Sequence, residues 1–138
     1  HELPIAPVMA KDGVVYERAA IERSARAWYE RSAAARHPPG MAAFGQFLLN
    51  GLGGLQDIAF GIMNVTEAAY LGSDLGAMKL GRGFYSGFHG LPKDPIRARY
   101  WLQKVVDGCK FKCLSGESMA DAAEMLQMLD EQANELEE

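Results

Sequence analysis

Apolar residues recur at helical spacing between residues 95 and 107. They return roughly every three to four residues, which is typical of an amphipathic helix. This stripe consists of Ile96, Ala98, Trp101, Leu102 and Val105. Asp94 can accept hydrogen bonds from the first free amides and Pro95 suits the first helical position, so together they predict the start of the helix. Gly108 predicts a left-handed C-cap at its end.

A second helix is predicted before this one, with a turn between them. Its stripe comprises Leu75, Ala77, Met78, Leu80, Gly81, Phe84 and Tyr85. Ala77 and Gly81 are small residues one turn apart, so a neighbouring helix can approach closely at this point. A glycine inside a helix is unfavourable by about 1 kcal/mol relative to alanine, and close packing can offset that loss. The glycines and the proline between residues 87 and 92 predict the turn.

The beginning of the chain has a different pattern. An Asp-Gly dipeptide stands between two short apolar runs, so residues 7–18 predict a β-hairpin. A helix over about residues 17–35 follows, with Ile21, Ala25 and Trp28 along one face.

The end of the chain is acidic. Residues 117–138 contain 8 acidic residues and no basic residue. Their apolar stripe is Met119, Ala122, Ala123, Leu126, Leu129, Ala133 and Leu136. We predict a terminal helix with a polar outer face, as the ends of helical repeat arrays require. Because acidic groups at a helix C-terminus oppose the helix dipole, we expect fraying after about Asp130.

The glycines are spaced regularly. The chain of 138 residues has 15 of them, and ten form five pairs that are 36 residues apart. The pairs are Gly40 and Gly76, Gly45 and Gly81, Gly51 and Gly87, Gly54 and Gly90, and Gly72 and Gly108. A fixed period of this length indicates a repeat array. The sequence therefore predicts a mainly α fold, an α-solenoid of helix-turn-helix repeats with a short N-terminal β-hairpin.

Composition and charge exclude several classes of protein. With 49% hydrophobic residues, 23% charged residues and a net charge of −4, the chain is typical of a globular domain. Its 2 cysteines exclude a disulfide scaffold and indicate a reducing compartment, the cytoplasm or the nucleus. We recognise no signal peptide and no transmembrane segment, since the uncharged stretch 37–56 contains 5 glycines and 2 prolines. The bases are scattered among acids, which argues against binding to nucleic acid.

Residues that could carry chemistry are few. Cys109 and Cys113 are four residues apart, and His89 is the nearest further ligand. A structural zinc site needs four ligands, so we predict no metal and no cofactor. The segment from Gly81 to Gly83 lacks the later glycine of a dinucleotide-binding motif. We therefore predict no catalytic residue.

The second unit follows a known pattern, A-x3-G-x3-Y and then G-V-x2-D-x3-A-x2-W-x2-K-A-A-x2-G. The matching positions are Ala77, Gly81, Tyr85, Gly90, Asp94, Ala98, Trp101 and Gly108. An earlier, degenerate copy over about residues 41–72 has Val65 in place of the tryptophan, and its aspartate, Asp57, comes early. Its matching glycines are Gly45, Gly51, Gly54 and Gly72. Both units resemble the Sel-one-like repeat, which implies an α-solenoid related to tetratricopeptide arrays that serves as a protein-interaction scaffold.

The N-terminal segment follows another pattern, D-P-V-x3-D-G-x2-Y-x-R-x2-I-E-x-W. The matching residues are Pro7, Val8, Asp12, Gly13, Tyr16, Arg18, Ile21 and Glu22. The segment resembles the U-box of ubiquitin ligases, a metal-free domain that binds a ubiquitin-conjugating enzyme and supplies no nucleophile of its own. The resemblance implies contacts to that enzyme from Ile5, Pro7 and Ser24, with Ser24 standing where the family has tryptophan.

These patterns divide the chain into three parts. We predict a partial U-box-like hairpin and helix over residues 1–36, two repeats over residues 37–116 and a capping helix over residues 117–138. The function implied is a protein-interaction domain of a U-box-type ubiquitin ligase, whose repeats recruit partners or substrates. The alternative is a non-catalytic scaffold with a vestigial U-box segment, because no second half of a U-box is recognisable after Arg36. Ligase activity is therefore left open, and the expected partners are proteins, with no nucleic acid and no membrane.

Overall fold

The computed structural model describes the backbone of residues 10–137 and the side chains of residues 17–137. The six helices found in these residues are α1 (Ala10–Ala34), α2 (Pro38–Asn50), α3 (Ile58–Tyr70), α4 (Asp74–Ser86), α5 (Pro95–Asp107) and α6 (Gly116–Glu137). This confirms the prediction of a mainly helical fold. None of these helices is both long enough and apolar enough to cross a membrane.

The helices pack chiefly against their neighbours in the chain. α2 packs on α3 and α4 packs on α5, which gives two helical hairpins. Contacts of α3 and α2 with α4 join the two hairpins, while α1 packs on α2 and α6 packs on α5. Such stacking of helical hairpins, each in contact with the next, is compatible with the predicted α-solenoid.

The predicted N-terminal β-hairpin is wrong for the part of it that the structure describes. Residues 10–18 belong to the 25-residue helix α1, so the Asp-Gly dipeptide lies inside a helix; residues 7–9 lie outside the described residues. A two-stranded hairpin is only marginally stable by itself in water. The described residues contain no strand that could extend such a hairpin into a sheet. Continuing a helix that already packs on α2 adds one hydrogen bond per residue, which offsets the cost of a single glycine.

The second helix of each hairpin begins in the same way. Asp57 caps α3, and its Oδ1 accepts a hydrogen bond from the amide of Phe60 at 3.0 Å. Asp94 caps α5, and its Oδ1 accepts from the amides of Ile96 and Arg97, both at 3.1 Å. The predicted cap at Asp94 is therefore confirmed, and Asp57 is its structural counterpart.

The spacing of the helices explains why Asp57 comes early in the first unit. The first helices of the two hairpins, α2 and α4, begin 36 residues apart, whereas the second helices, α3 and α5, begin 37 residues apart. The turn of the second hairpin is therefore one residue longer. Both turns start at a glycine in the left-handed region, Gly51 with φ 66° and Gly87 with φ 76°.

The glycines inside helices mark points of close approach. A Cβ added to Gly45 would lie 2.9 Å from the carbonyl oxygen of Gly61 in α3, and one added to Gly81 would lie 2.7 Å from Cδ2 of Leu102 in α5. A Cβ on Gly76 would lie 2.9 Å from the carbonyl oxygen of Val65. The small residues therefore permit the contacts within each hairpin and the contact between α3 and α4.

The main core lies where these helices meet. Its buried members from α4 and α5 include Ala77, Met78, Leu80, Ala98, Trp101, Leu102 and Val105. Trp101 is 4% exposed, and the rings of Tyr70 and Tyr100 lie edge-on to it with centroids at 5.1 and 5.0 Å. Tyr85 is half-buried against this core, so Trp101 is the larger packing unit of the two.

Gly108 ends α5, although without the predicted left-handed cap. Its φ of 108° and ψ of 136° lie outside that region, and its amide donates to the carbonyl of Lys104 at 3.0 Å. The extended ψ sends the chain across to α4, where Phe111 and Ser73 form an isolated parallel bridge. Residues 108–115 thus form a strap between α5 and α6 that is held against the start of α4.

Candidate binding groove

A groove of about 650 Å³ lies between α1 and α2 and is closed on one side by α4 and the strap. We refer to it as the α1–α2 groove. The residues that line it are Ala25, Trp28, Tyr29, Ser32, His37, Pro39, Gly40, Ala43, Leu75 and Cys113. None of them is acidic and most are apolar or small, which is typical of a site that binds an apolar group or segment.

The two walls of the groove are held together by specific contacts. A Cβ on Gly40 would overlap the side chain of Ser32, so α1 approaches α2 where a side chain is missing. The rings of Tyr29 and Phe47 pack edge to face with centroids 5.3 Å apart. Tyr29 lines the groove while it anchors α1. These contacts fix the position of α1 on the hairpin of α2 and α3.

The α1 wall presents a large apolar side chain to solvent. Trp28 is 66% exposed, and the guanidinium of Arg31 lies 5.0 Å from its ring centroid. Ile21, two turns earlier on the same helix, is also 66% exposed. The apolar face predicted for this helix is therefore only partly used for packing on α2. The remainder forms an exposed stripe that leads into the α1–α2 groove.

The strap on the far side of the groove is held by a buried carboxylate. Asp74, in the first turn of α4, is 3% exposed. Both of its oxygens lie 2.9 Å from the amide nitrogen of Cys113, and Oδ2 accepts a further hydrogen bond from the amide of Leu114 at 3.1 Å. The rings of His37 and Phe111 also pack edge to face, with centroids at 5.9 Å. These contacts therefore fix the position of the strap along this side of the groove.

The two cysteines of the strap are not suited to nucleophilic catalysis. Burial and the nearby charge of Asp74 raise the pKa of the Cys113 thiol. The same two causes raise the pKa of the Cys109 thiol, with the charges of Lys104 and Lys112 acting in the opposite direction. A thiol with a raised pKa is protonated at neutral pH, and the protonated form is a poor nucleophile. Within residues 17–137 no cluster of three metal-ligating side chains occurs.

Of the residues predicted to contact a conjugating enzyme, the structure describes Ser24 alone. Ile5 and Pro7 lie outside the described residues. Ser24 is exposed on α1, one turn before Trp28. It is not among the residues that line the groove.

The residues predicted from the repeat pattern form the scaffold behind the groove. Buried within the helices are Gly45, Ala77, Gly81, Ala98 and Trp101. The turns and helix ends contain Gly51, Gly54, Gly72, Gly90, Asp94 and Gly108. The Tyr85 hydroxyl lies 3.6 Å from the sulfur of Met128 in α6. None of these residues lines the groove, although Gly40 of the glycine pairs does, so the pattern locates the framework and misses most of the site.

Comparison with known proteins assigns no family to this geometry. No protein-family model matches the chain, and no curated protein matches it. The resemblances to the Sel-one-like repeat and the U-box therefore stay predictions, and the function has to be argued from the surface of the molecule.

Proposed function

We propose that the chain is a protein-interaction module that binds an apolar segment of a partner protein in the α1–α2 groove. The observation that carries this proposal is the exposure of Trp28 beside a groove with no acidic lining residue. Aromatic side chains of this size dominate the energetics of many interfaces because they bury a large area at a small entropic cost.

The charges around the groove suggest what flanks the apolar segment. Arg31 lies over the ring of Trp28, and the exposed Lys110 and Lys112 stand on the strap next to the lining residue Cys113. Acidic residues in a partner would be attracted to this rim, and complementary charge raises the rate of association and the specificity. The partner we propose is an apolar segment flanked by acidic residues.

Peptides selected from a display library against the intact chain provide the test. Of the 2 tryptophans, Trp101 is buried, so the indole accessible to acrylamide is that of Trp28. Selected peptides should protect Trp28 from quenching, and Trp28→Ala should weaken their binding by about tenfold or more. Ile96→Ala, at an 81% exposed position on α5, is the matched control and should bind as the native chain does.

The proposal fails if the selected peptides bind Trp28→Ala as tightly as the native chain. It also fails if Ile96→Ala weakens binding as much as Trp28→Ala does. Slower alkylation of Cys113 in the presence of peptide, with Cys109 unchanged, would add an independent measure of occupancy, since Cys113 alone of the two lines the groove.

Ubiquitin ligation is a separate hypothesis that rests on the sequence match to the U-box. The helical conformation of residues 10–18 removes the hairpin that the match implies, while Ser24 is exposed as a contact residue would be. A reconstituted autoubiquitination assay should compare the native chain with Ser24→Trp. Ubiquitin chains formed by either protein would support the hypothesis. If both proteins are folded and neither forms ubiquitin chains, the hypothesis is wrong. Because Cys109 and Cys113 are free thiols, we propose the cytoplasm or the nucleus as the location in either case.

A further inference from the structure

A second concave site lies on another part of the molecule. A pocket of about 230 Å³ forms where α2, α3 and α4 meet the turn between α4 and α5. Its apolar wall includes Leu49, Ile62 and Val65. Its polar lining residues are Lys79, Arg82 and His89. No residue of the α1–α2 groove belongs to it.

The two cations of this pocket have unused donors. Lys79 and Arg82 lie three residues apart on α4, and within the described part of the chain Lys79 makes no ion pair. Arg82 donates to Asp121 through Nη2 at 3.1 Å, while its Nε is buried without a hydrogen-bond partner. Burial, and secondly the charge of Arg82, lower the pKa of Lys79. A bound anion would accept the free hydrogen bonds and relieve the repulsion between the two cations.

The turn at the edge of the pocket is in an unusual conformation. His89 has φ 55°, in the left-handed region that non-glycine residues rarely adopt. It lies between Gly87 and Gly90, which also have positive φ. Strained residues of this kind concentrate at ligand sites. The turn places a further ring that can donate a hydrogen bond beside Lys79 and Arg82.

We propose that this pocket binds a carboxylate carried on an apolar group. The carboxylate accepts hydrogen bonds from Lys79 and Arg82, and the apolar group lies against Leu49, Ile62 and Val65. The volume equals the share of about eight water molecules in the liquid, which suits a ligand the size of a single amino-acid residue. The C-terminal carboxylate of a peptide with an apolar last residue and a small free aliphatic acid share this chemistry. The site is independent of the α1–α2 groove.

The test is an NMR titration of the full chain with four probes. N-acetyl-leucine represents the peptide C-terminus, 4-methylpentanoate the free acid, N-acetyl-leucine amide the neutral control and inorganic phosphate the bare anion. We expect both carboxylates to shift the amide resonances of residues 79–91 saturably, with the neutral amide binding at least about tenfold more weakly. Whichever carboxylate binds more tightly identifies the source, and either order supports the shared chemistry.

Lys79→Met keeps the length of the side chain and removes its charge, so it should weaken binding of N-acetyl-leucine by about tenfold. Lys104→Met, on the exposed surface of α5, is the matched control and should bind as the native chain does. Equal binding of the acid and the amide, or native affinity in Lys79→Met, would overturn the proposal. The proposal would also be overturned if phosphate shifted the same resonances with an affinity equal to that of the organic acids. If Lys79→Met does not fold, the comparison of acid and amide on the native chain decides.

Discussion

Asp74 stabilises a connection that has no regular secondary structure of its own. Its carboxylate accepts hydrogen bonds from the amides of the exposed Cys113 and the half-buried Leu114. A hydrogen bond to a charged group contributes about 1.5–3 kcal/mol to stability. The carboxylate thus adds to the backbone hydrogen bonds of Phe111 with Gly72 and Asp74, and the two together position the strap and one wall of the α1–α2 groove.

Asp74→Ala should lower the free energy of unfolding by about 2–5 kcal/mol, because it leaves two amides without an acceptor. Asp74→Asn keeps one acceptor oxygen and should lose less. Urea denaturation measures both, and Asp107→Ala, at the exposed end of α5, is the control with no expected effect beyond about 0.5 kcal/mol. A native midpoint for Asp74→Ala would show that these hydrogen bonds do not hold the strap.

The two tryptophans have opposite roles, and their variants should separate accordingly. Trp101→Ala removes a buried ring between Tyr70 and Tyr100 and should lower the free energy of unfolding by about 3–5 kcal/mol. Trp28→Ala removes an exposed ring and should change it by less than about 1 kcal/mol. Thermal denaturation of both variants checks the pair. Similar losses in both would mean that Trp28 is part of the core rather than of a binding surface.

Among the helices, the glycines are constrained to different degrees by what they face. A Cβ at Gly76 would meet backbone atoms, the amide nitrogen of Ala69 at 2.8 Å and the carbonyl oxygen of Val65 at 2.9 Å. A Cβ at Gly81 would meet side-chain atoms of the buried Leu102, Cδ2 at 2.7 Å and Cγ at 2.8 Å. Backbone of a packed helix cannot shift without disturbing its neighbours, whereas a leucine can change rotamer.

Gly76→Ala should therefore destabilise the fold more than Gly81→Ala, in spite of the same gain of about 1 kcal/mol in helix propensity. Overpacking typically costs about 1–3 kcal/mol and the propensity gain offsets about 1 kcal/mol of it, so we expect a net loss of about 2 kcal/mol for the first and less than about 1 kcal/mol for the second. Chemical denaturation of the two variants gives the comparison. The reverse order would contradict the close contact between α3 and α4.

The helices between residues 74 and 107 could be predicted because their signals are local. Asp94 acts through a side-chain cap on the next two amides, and Pro95 and the glycines act through their own backbone geometry, so spacing along the chain is enough to locate α4, α5 and the turn between them. The hairpin prediction failed because a tight-turn dipeptide is compatible with more than one structure, and packing of α1 on α2 decided between them. Gly108 ended a helix as predicted, yet its ψ was set by where the strap had to go.

The groove could not be predicted from the sequence for a related reason. Helical spacing places Ile21, Ala25 and Trp28 on one face, and it does not reveal how much of that face a neighbouring helix covers. Ala25 and Trp28 line the groove together with residues of α2, α4 and the strap, which are distant in the chain. A site assembled from four segments depends on their packing, and no single segment has its signature.

At the scale of the whole molecule, charge and burial divide α6 into two parts. Leu129 is the last buried residue of the described chain, and every described residue after it is exposed. Asp130 forms an ion pair with Arg99 of α5. The remaining acidic turns contribute no packing, and their charges oppose the helix dipole.

Removal of residues 131–138 should therefore leave the thermal midpoint within about 3 °C of the native value, as surface changes usually do. Removal of residues 126–138 takes away Leu126 and Leu129 and should lower it markedly. Differential scanning calorimetry of the two truncations distinguishes them. A large loss on removing residues 131–138 alone would show that the acidic turns are part of the folded unit.

The Asp74 carboxylate also sets an order in which the chain can finish folding as it is synthesised. Most helix contacts join segments that follow one another, so each helix can settle on the one made before it. The carboxylate can form its hydrogen bonds only after Cys113 and Leu114, 39 and 40 residues further on, have been synthesised. A nascent chain halted after residue 107 would contain α1 to α5 and still have this group in water. The groove is thus completed by one of the last connections that the described chain makes.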